Sequence, residues 1–126
     1  MIVVDTSALM AIVLDEPEAE RCANAIASEK DICISATTIA EALIVAAQRN
    51  VGAEMETLIA GLSFEVMPVT EAFARRVADA YAQWGKGNHR AGLNFGDCFA
   101  YAAAQELNCR LLYVGEDFTR AGMAQS

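Results

Sequence analysis

The chain has few of the residues that build a zinc site or a disulfide scaffold. It contains four cysteines and a single histidine, His89, in 126 residues. No two cysteines form a C-x-x-C pair, and each lies in an apolar stretch, as reduced cysteines of intracellular proteins usually do. The sequence therefore argues against structural zinc and favours a reducing compartment.

Positive charge is also scarce. Nine lysines and arginines stand against seventeen aspartates and glutamates, which gives a net charge of -8. This is the wrong sign for binding nucleic acid by bulk electrostatics, because the phosphate backbone repels an acidic surface. If the protein binds RNA, local basic residues and a metal ion must hold it. The same acidic surplus suits a basic protein partner or a bound cation.

Long apolar runs are missing as well. No stretch approaches the roughly 18 apolar residues of a membrane-spanning helix, and the N-terminus has no basic region of the kind that begins a signal peptide. We expect a cytoplasmic protein without membrane contact. Hydrophobic residues make up 55% and charged residues 21% of the chain. This balance and the length predict one folded domain over residues 1–126.

The hydrophobic pattern alternates between short strands and longer helices. Strands are predicted at residues 2–4, 32–34, 64–69 and 110–114, and helices at residues 8–14, 17–28, 36–50, 53–62, 70–84 and 95–107. Strands separated by helical crossovers form a mainly parallel central sheet flanked by helices on both faces. The expected fold class is therefore an α/β sandwich.

Residues 85–92 form the one clearly irregular stretch, which is rich in glycine. The stretch contains Lys86, His89 and Arg90 directly before the predicted helix 95–107, which is a suitable place to hold RNA phosphates. They could equally be solvated loop residues. The stretch lacks the G-x-x-x-x-G-K-[ST] pattern, so no nucleotide cofactor is expected.

Four carboxylates are expected near one edge of the sheet, because sites in parallel sheets form beyond the carboxyl ends of the strands. Asp5 follows the first strand and Asp117 follows the last, while Asp97 and Glu41 lie early in two helices. Each has a simpler explanation. Asp5 could cap a helix, Asp97 could interact with a helix dipole, and Glu41 could share a solvated helix face with Thr37, Thr38 and Gln48.

Four acids at one edge would repel one another unless a cation lay among them. Ligation by carboxylate oxygens and water suits Mg²⁺, or Mn²⁺, better than zinc. The four acids together therefore indicate a bound divalent cation more strongly than any one of them does.

Four segments in order carry a family resemblance: V-V-D-T-S-A at 3–8, Glu41 in an alanine-rich helix, L-N-F-G-D-C-F-A-Y at 93–101, and G-E-D-F at 115–118. The chain resembles the PIN domains of VapC toxins over nearly its whole length. The resemblance implies a single PIN domain with a PIN-like, Rossmann-like sandwich. It also implies that the protein is the toxin of a type II toxin-antitoxin pair, a Mg²⁺-dependent endoribonuclease that cleaves tRNA or rRNA.

The same resemblance assigns the acidic metal site. Asp5, Glu41, Asp97 and Asp117 form it, with Asp5 and Asp97 as direct ligands and the other two acting through water. Thr6 or Ser7 supports the metal shell. Asp117 is preferred to its neighbour Glu116 as the fourth acid, because it directly precedes Phe118. The implied partners are a VapB-type antitoxin, whose basic C-terminal segment lies across the acidic site, and a second copy of the chain.

Three other functions compete with this interpretation. A receiver-type signalling domain is also acidic and binds Mg²⁺, but it needs a lysine after the last strand, and the only lysines here are Lys30 and Lys86. A PIN-like binding module would have lost its catalytic site, which the four acids argue against. A PIN nuclease of RNA maturation stays open, because its partners rather than its motifs would distinguish it.

Overall fold

The computed structural model describes residues 1–123 and contains a four-stranded, fully parallel sheet. Its strands are β1 (Ile2–Val4), β2 (Ile32–Ser35), β3 (Glu65–Met67) and β4 (Arg110–Leu112). The strands lie in the order β3-β2-β1-β4, so β1 is central and pairs with both β2 and β4. This arrangement confirms the expected α/β fold class. Strand β3 is shorter than the predicted 64–69.

Seven helices connect or follow these strands within residues 1–123. They are α1 (Thr6–Val13), α2 (Ala19–Ala27), α3 (Ala36–Gln48), α4 (Gly52–Leu62), α5 (Glu71–Trp84), α6 (Phe95–Leu107) and α7 (Asp117–Arg120). Six correspond to predicted helices, although α2 begins after Pro17 because that proline lies in a turn closed by a bond from Ala19 N to Glu16 O. The short α7 was not expected. No helix in this part of the chain is long and apolar enough to cross a membrane.

The period-two alternation of the strands divides the core into two halves. In β1, Ile2 and Val4 face one side and Val3 the other, because successive strand side chains point to opposite faces. Ile2 and Val4 pack with residues of α1, α2, α3 and α4. Val3 packs with residues of α5 and α6, including Phe73 and Phe99. Helices therefore cover both faces of the sheet.

A buried tyrosine holds the segment after β4 against the sheet. Tyr113 is fully buried, and its hydroxyl contacts the Thr119 hydroxyl at 2.7 Å and donates to the Met123 carbonyl at 3.0 Å. Its ring also packs against Phe118. These contacts fix α7 close to the carboxyl end of β4, which is the edge where the acidic residues are expected.

Candidate active site at the carboxyl edge of the sheet

The Asp5 carboxylate is held in place by the residues that follow it. Asp5 is the N-cap of α1, and its Oδ2 accepts from Ser7 N at 3.0 Å and from the Ser7 hydroxyl at 2.6 Å. The Ser7 hydroxyl in turn accepts from Val114 N at 2.9 Å, just beyond β4. The simpler explanation of Asp5, that it caps a helix, is therefore correct, but it accounts for only one of the two carboxylate oxygens.

The second oxygen of Asp5 has no hydrogen-bond partner among the described residues. Asp5 is 3% exposed, and its Oδ1 is buried. Burial raises the pKa of Asp5 to about 6, and the charge of Glu41 adds to the rise, while hydrogen bonds from Ser7 oppose it. An unsatisfied, buried carboxylate oxygen is costly unless a cation or proton binds it.

Glu41 is held against the start of α6 by two features. The Thr6 hydroxyl donates to Glu41 Oε1 at 2.5 Å. On the other side lies Gly96, where an added Cβ would be 2.7 Å from Glu41 Cδ and closer still to Oε2. Glu41 therefore occupies the space that any other residue at position 96 would fill with its side chain.

Asp97 serves the helix and the site together. It forms a capping box with Asn94: Asp97 N donates to Asn94 Oδ1 at 2.8 Å, and Asn94 N donates to Asp97 Oδ2 at 3.0 Å. Partial burial, together with the charges of Asp5, Glu41 and Asp117, raises the pKa of Asp97 to about 7, against a hydrogen bond from Asn94 that lowers it. Asp97 thus lies within electrostatic range of the other three acids.

Asp117 is the most exposed of the four acids and begins α7. Its Oδ1 forms a salt bridge with Arg120 Nη1 at 3.2 Å, and its side chain is about half exposed. The charge of Asp117 contributes to the raised pKa of Asp97. The choice of Asp117 rather than Glu116 as the fourth acid stays a prediction.

The residues present fit a hydrated divalent cation better than a fully protein-bound one. Within residues 1–123, no three histidine, cysteine, aspartate or glutamate side chains lie close enough together to hold a metal ion. Mg²⁺ commonly keeps several waters and binds through one or two carboxylates. Asp5, with its unpartnered oxygen, and Asp97 are suited to that mode, and a complete four-acid ligand set stays a prediction.

Lys86, His89 and Arg90, in the loop before α6, differ in their exposure to solvent. Lys86 and Arg90 are exposed and form no ion pair with any described residue. His89 is partly buried, lies edge-on against Trp84 at 4.8 Å between ring centroids, and accepts from Ala91 N through Nδ1 at 2.9 Å. These two contacts of the His89 ring stabilise the conformation of the loop. A role for these three residues in RNA binding stays a prediction.

The sequence did not indicate the long-range contacts that form at this edge of the sheet. The simpler explanation of Glu41, a solvated helix face shared with Thr38, is wrong for Thr38. Thr38 is 1% exposed, because α3 turns that position toward α1, where the Thr38 carbonyl lies 3.5 Å from the Thr6 hydroxyl. The Ser7 bond to Val114 and the approach of Glu41 to Gly96 join residues that are far apart in sequence. Only the motif N-F-G-D itself signalled that position 96 matters.

The sequence model of the PIN domain family matches residues 2–123. Ribonuclease VapC28 of Mycobacterium tuberculosis is 40% identical, with 98% of this chain and 96% of that protein covered. Ribonuclease VapC of Mycolicibacterium smegmatis is 39% identical, with 97% of each covered. The chain therefore belongs to the PIN-domain family of VapC ribonucleases.

A solved structure supports the same fold at much lower identity. The crystal structure of Mycobacterium tuberculosis VapC20, described as a toxin that cleaves the sarcin-ricin loop, has a TM-score of 0.81 at 16% identity and covers 100% of this chain and 98% of its own. At that identity, the likeness shows the fold alone.

Gly96→Ala should move the Glu41 side chain without lowering the stability of the fold. Alanine favours a helix by up to about 1 kcal/mol over glycine, and the group it would displace is the end of a flexible side chain. We expect an unchanged or slightly higher free energy of unfolding in urea, with Glu41 moved away from Thr6 in a crystal structure. Gly61→Ala is the matched control, because a Cβ there meets no atom within 4 Å. A marked loss of stability in Gly96→Ala alone would contradict this account.

Asp97→Asn should stabilise the metal-free protein more as the pH rises. The folded pKa of about 7 lies above the ordinary value of 3.8, so the folded chain holds a proton that the unfolded chain releases. The native state therefore loses stability from about pH 4 to 7. In EDTA, we expect the difference in melting temperature between Asp97→Asn and the unmodified chain to grow from about pH 4 to 7 and to level off above that. Asp79→Asn, at an exposed position on α5, should show no such trend, and a constant difference for Asp97→Asn would contradict the prediction.

Proposed function

We propose that this chain is a single PIN domain that cleaves RNA with the help of Mg²⁺ as the toxin of a type II toxin-antitoxin pair. The observation that carries the proposal is the unpartnered, buried oxygen of Asp5 at an edge where Glu41, Asp97 and Asp117 also gather. The ribonuclease names of relatives about 40% identical support it. The protein's acidity is consistent with a bound cation.

Asp5 and Asp97 would hold the ion, and Glu41 and Asp117 would act through water. Mg²⁺ bound there supplies the positive charge that activates a water and neutralises the developing charge on the phosphate. The Ser7 hydroxyl and amide keep one Asp5 oxygen occupied and leave the other available. Thr6 and Gly96 set the position of Glu41, and Glu41 or Asp117 would orient the attacking water. In-line attack by that water would break the bond between phosphorus and the 3′ oxygen and leave a 5′-phosphate and a 3′-hydroxyl.

Substrate phosphates would be held at the loop before α6. Lys86 and Arg90 are exposed there and free of ion pairs within the described residues. The second nitrogen of His89 could add a contact, since Nδ1 is already an acceptor. We propose tRNA or rRNA as the substrate, and the description of VapC20 as a sarcin-ricin loop cleaving toxin supports an RNA of this kind.

Purified protein should cut total tRNA or ribosomal RNA at discrete positions in Mg²⁺ or Mn²⁺. Cleavage should stop with EDTA and in Asp97→Asn or Asp5→Asn, because either change removes a ligand. Mapped product ends should carry 5′-phosphates, whereas a 2′,3′-cyclic phosphate would refute attack by water. Gly96→Ala should lower the cleavage rate, while Asp79→Asn and Gly61→Ala should not.

The same experiment separates the remaining alternatives. Folded protein that binds metal but cuts no RNA would indicate a PIN-like binding module. Cuts that occur only at the ends of precursor RNAs would favour a maturation nuclease. Cleavage of mature tRNA or rRNA supports the toxin.

The proposed partners are a second copy of the chain and a VapB-type antitoxin. A solved toxin-antitoxin complex from Klebsiella pneumoniae has a TM-score of 0.71 to this chain at 18% identity, with 94% of this chain and 90% of its own covered. In the antitoxin's basic segment, an arginine could pair with the carboxylates at the sheet edge and displace the metal. The net charge of -8 suits such a partner.

Light scattering of the purified chain should give twice its mass of 13.5 kDa. A small protein that copurifies with the tagged chain from its native host, identified by mass spectrometry, should lower its Mn²⁺ affinity. Replacing the arginine of that protein nearest the carboxylates should restore metal binding. A monomeric mass would contradict the homodimer, and unchanged Mn²⁺ affinity in the complex would contradict the displacement.

A further inference from the structure

An arginine of α2 reaches the end of the last strand. Arg21 is the third residue of α2, and its Nη2 donates to the Tyr113 carbonyl oxygen at 3.0 Å. Its Nε donates to a carboxylate oxygen of Glu18, three residues earlier. The side chain is partly buried, and these two contacts orient its guanidinium group. Arg21 therefore binds the backbone directly beyond β4, at the carboxyl edge of the sheet.

The peptide group that Arg21 contacts also holds the Asp5 carboxylate. Tyr113 supplies the carbonyl oxygen of this group and Val114 supplies its N–H. The N–H donates to the Ser7 hydroxyl at 2.9 Å, and that hydroxyl donates to Asp5 Oδ2 at 2.6 Å. In a planar, trans peptide the C=O and the N–H point in opposite directions, so Arg21 and Ser7 contact the group from opposite sides. A chain of three hydrogen bonds thus leads from Arg21 to Asp5.

Each hydrogen bond in this chain strengthens the next. A positive charge beside the carbonyl oxygen draws electron density away from the peptide N–H, which makes the N–H a stronger donor. The Ser7 hydroxyl is polarised in turn, and its bond to Asp5 Oδ2 stabilises the ionised carboxylate. The contact with Arg21 also limits where the 113–114 peptide, and with it Ser7, can lie. All of this acts on Oδ2, while Oδ1 has no hydrogen-bond partner among the described residues.

We propose that Arg21 is a positioning residue that holds Asp5 ready for a metal ion through the 113–114 peptide and Ser7. The inference rests on the proposed function, in which Asp5 is a metal ligand. Direct electrostatics would have the opposite effect, because a nearby arginine repels a cation. Removal of that repulsion would strengthen metal binding, whereas loss of the positioning weakens it. The sign of the change in Mn²⁺ affinity therefore distinguishes the two effects.

Mn²⁺ binding in a double-mutant cycle tests the proposal. Electron paramagnetic resonance gives the Mn²⁺ affinity of the full chain at pH 8, without RNA, for the unmodified protein, Arg21→Gln, Ser7→Ala and the double variant. Arg21→Lys is added because it keeps a positive charge. Arg76→Gln is the matched control, since Arg76 also pairs with a glutamate, Glu106, but does so near the opposite end of α6 from Asp97. Circular dichroism checks that each variant is folded.

Arg21→Gln should weaken Mn²⁺ binding by about fivefold and Ser7→Ala by about tenfold, since loss of a residue that orients a metal ligand typically costs about 10–100-fold and Arg21 acts at one remove. In the Ser7→Ala background, Arg21→Gln should have no further effect, because the connection to Asp5 is already broken. Arg21→Lys should lose less affinity than Arg21→Gln. Arg76→Gln should bind Mn²⁺ like the unmodified chain.

RNA cleavage gives a second measurement, which a purely structural role of Arg21 would not change in the same way. Arg21→Gln should cut slowly at limiting Mn²⁺ and recover at saturating Mn²⁺, with an unchanged KM for RNA. A raised KM that added Mn²⁺ does not correct would overturn the proposal and assign Arg21 to a contact with RNA phosphates.

Two binding results would also overturn the proposal: unchanged or tighter Mn²⁺ binding in Arg21→Gln, or an equal loss with and without Ser7. The amide proton of Val114 in NMR spectra is an independent check that does not need Ser7→Ala to fold. Its signal should move upfield in Arg21→Gln as the bond to Ser7 weakens, and an unmoved signal would contradict the chain of hydrogen bonds. An unmodified chain that binds no Mn²⁺ is a separate outcome: the proposed metal-dependent function then fails, while the Val114 signal still decides whether Arg21 acts on Ser7.

Discussion

The candidate site depends on negative charge at the carboxyl edge of the sheet, where only Asp117 of the four acids forms a salt bridge with a described residue, Arg120. Parallel strands end at one edge, and the helices that follow begin there, so residues placed just after a strand or early in a helix converge. The burial that makes the core also raises the pKa of Asp5 and Asp97. Keeping these two groups as carboxylates at pH values below their raised pKa costs free energy, which a bound cation would offset.

Two of the residues that stabilise the helices at this edge, Asp5 and Asp97, are also the candidate ligands of the site. Asp5 caps α1 and Asp97 completes a capping box on α6, each through Oδ2. Capping orients the two side chains, so little conformational entropy remains to be lost when a ligand binds. Asp5 and Asp97 lie at the starts of two helices, and the hydrogen bonds there hold the candidate site in place before a ligand binds. A substitution at either residue is therefore expected to change both helix stability and ligand binding.

Local patterns predicted the architecture well, because each element carries its own signal. Alternation in β1, the alanine-rich α3 and the motif around Asp97 placed the elements and the edge. The short α7 was missed, since it is fixed by the contacts of Tyr113 rather than by periodicity. The burial of Thr38 and the approach of Glu41 to Gly96 were also missed, because both depend on how α3 packs against α1 and α6.

The bond between the Ser7 hydroxyl and Val114 N spans almost the entire chain. During synthesis, Asp5 leaves the ribosome early, but the backbone group that anchors its partner Ser7 is made more than a hundred residues later. Strand β1 likewise lacks one of its two neighbours until β4 has emerged and paired with it. The acidic edge is therefore complete only after β4 and Val114 have been made and have paired with the first residues of the domain. The earliest acid in the chain thus waits for the latest strand before its geometry is fixed.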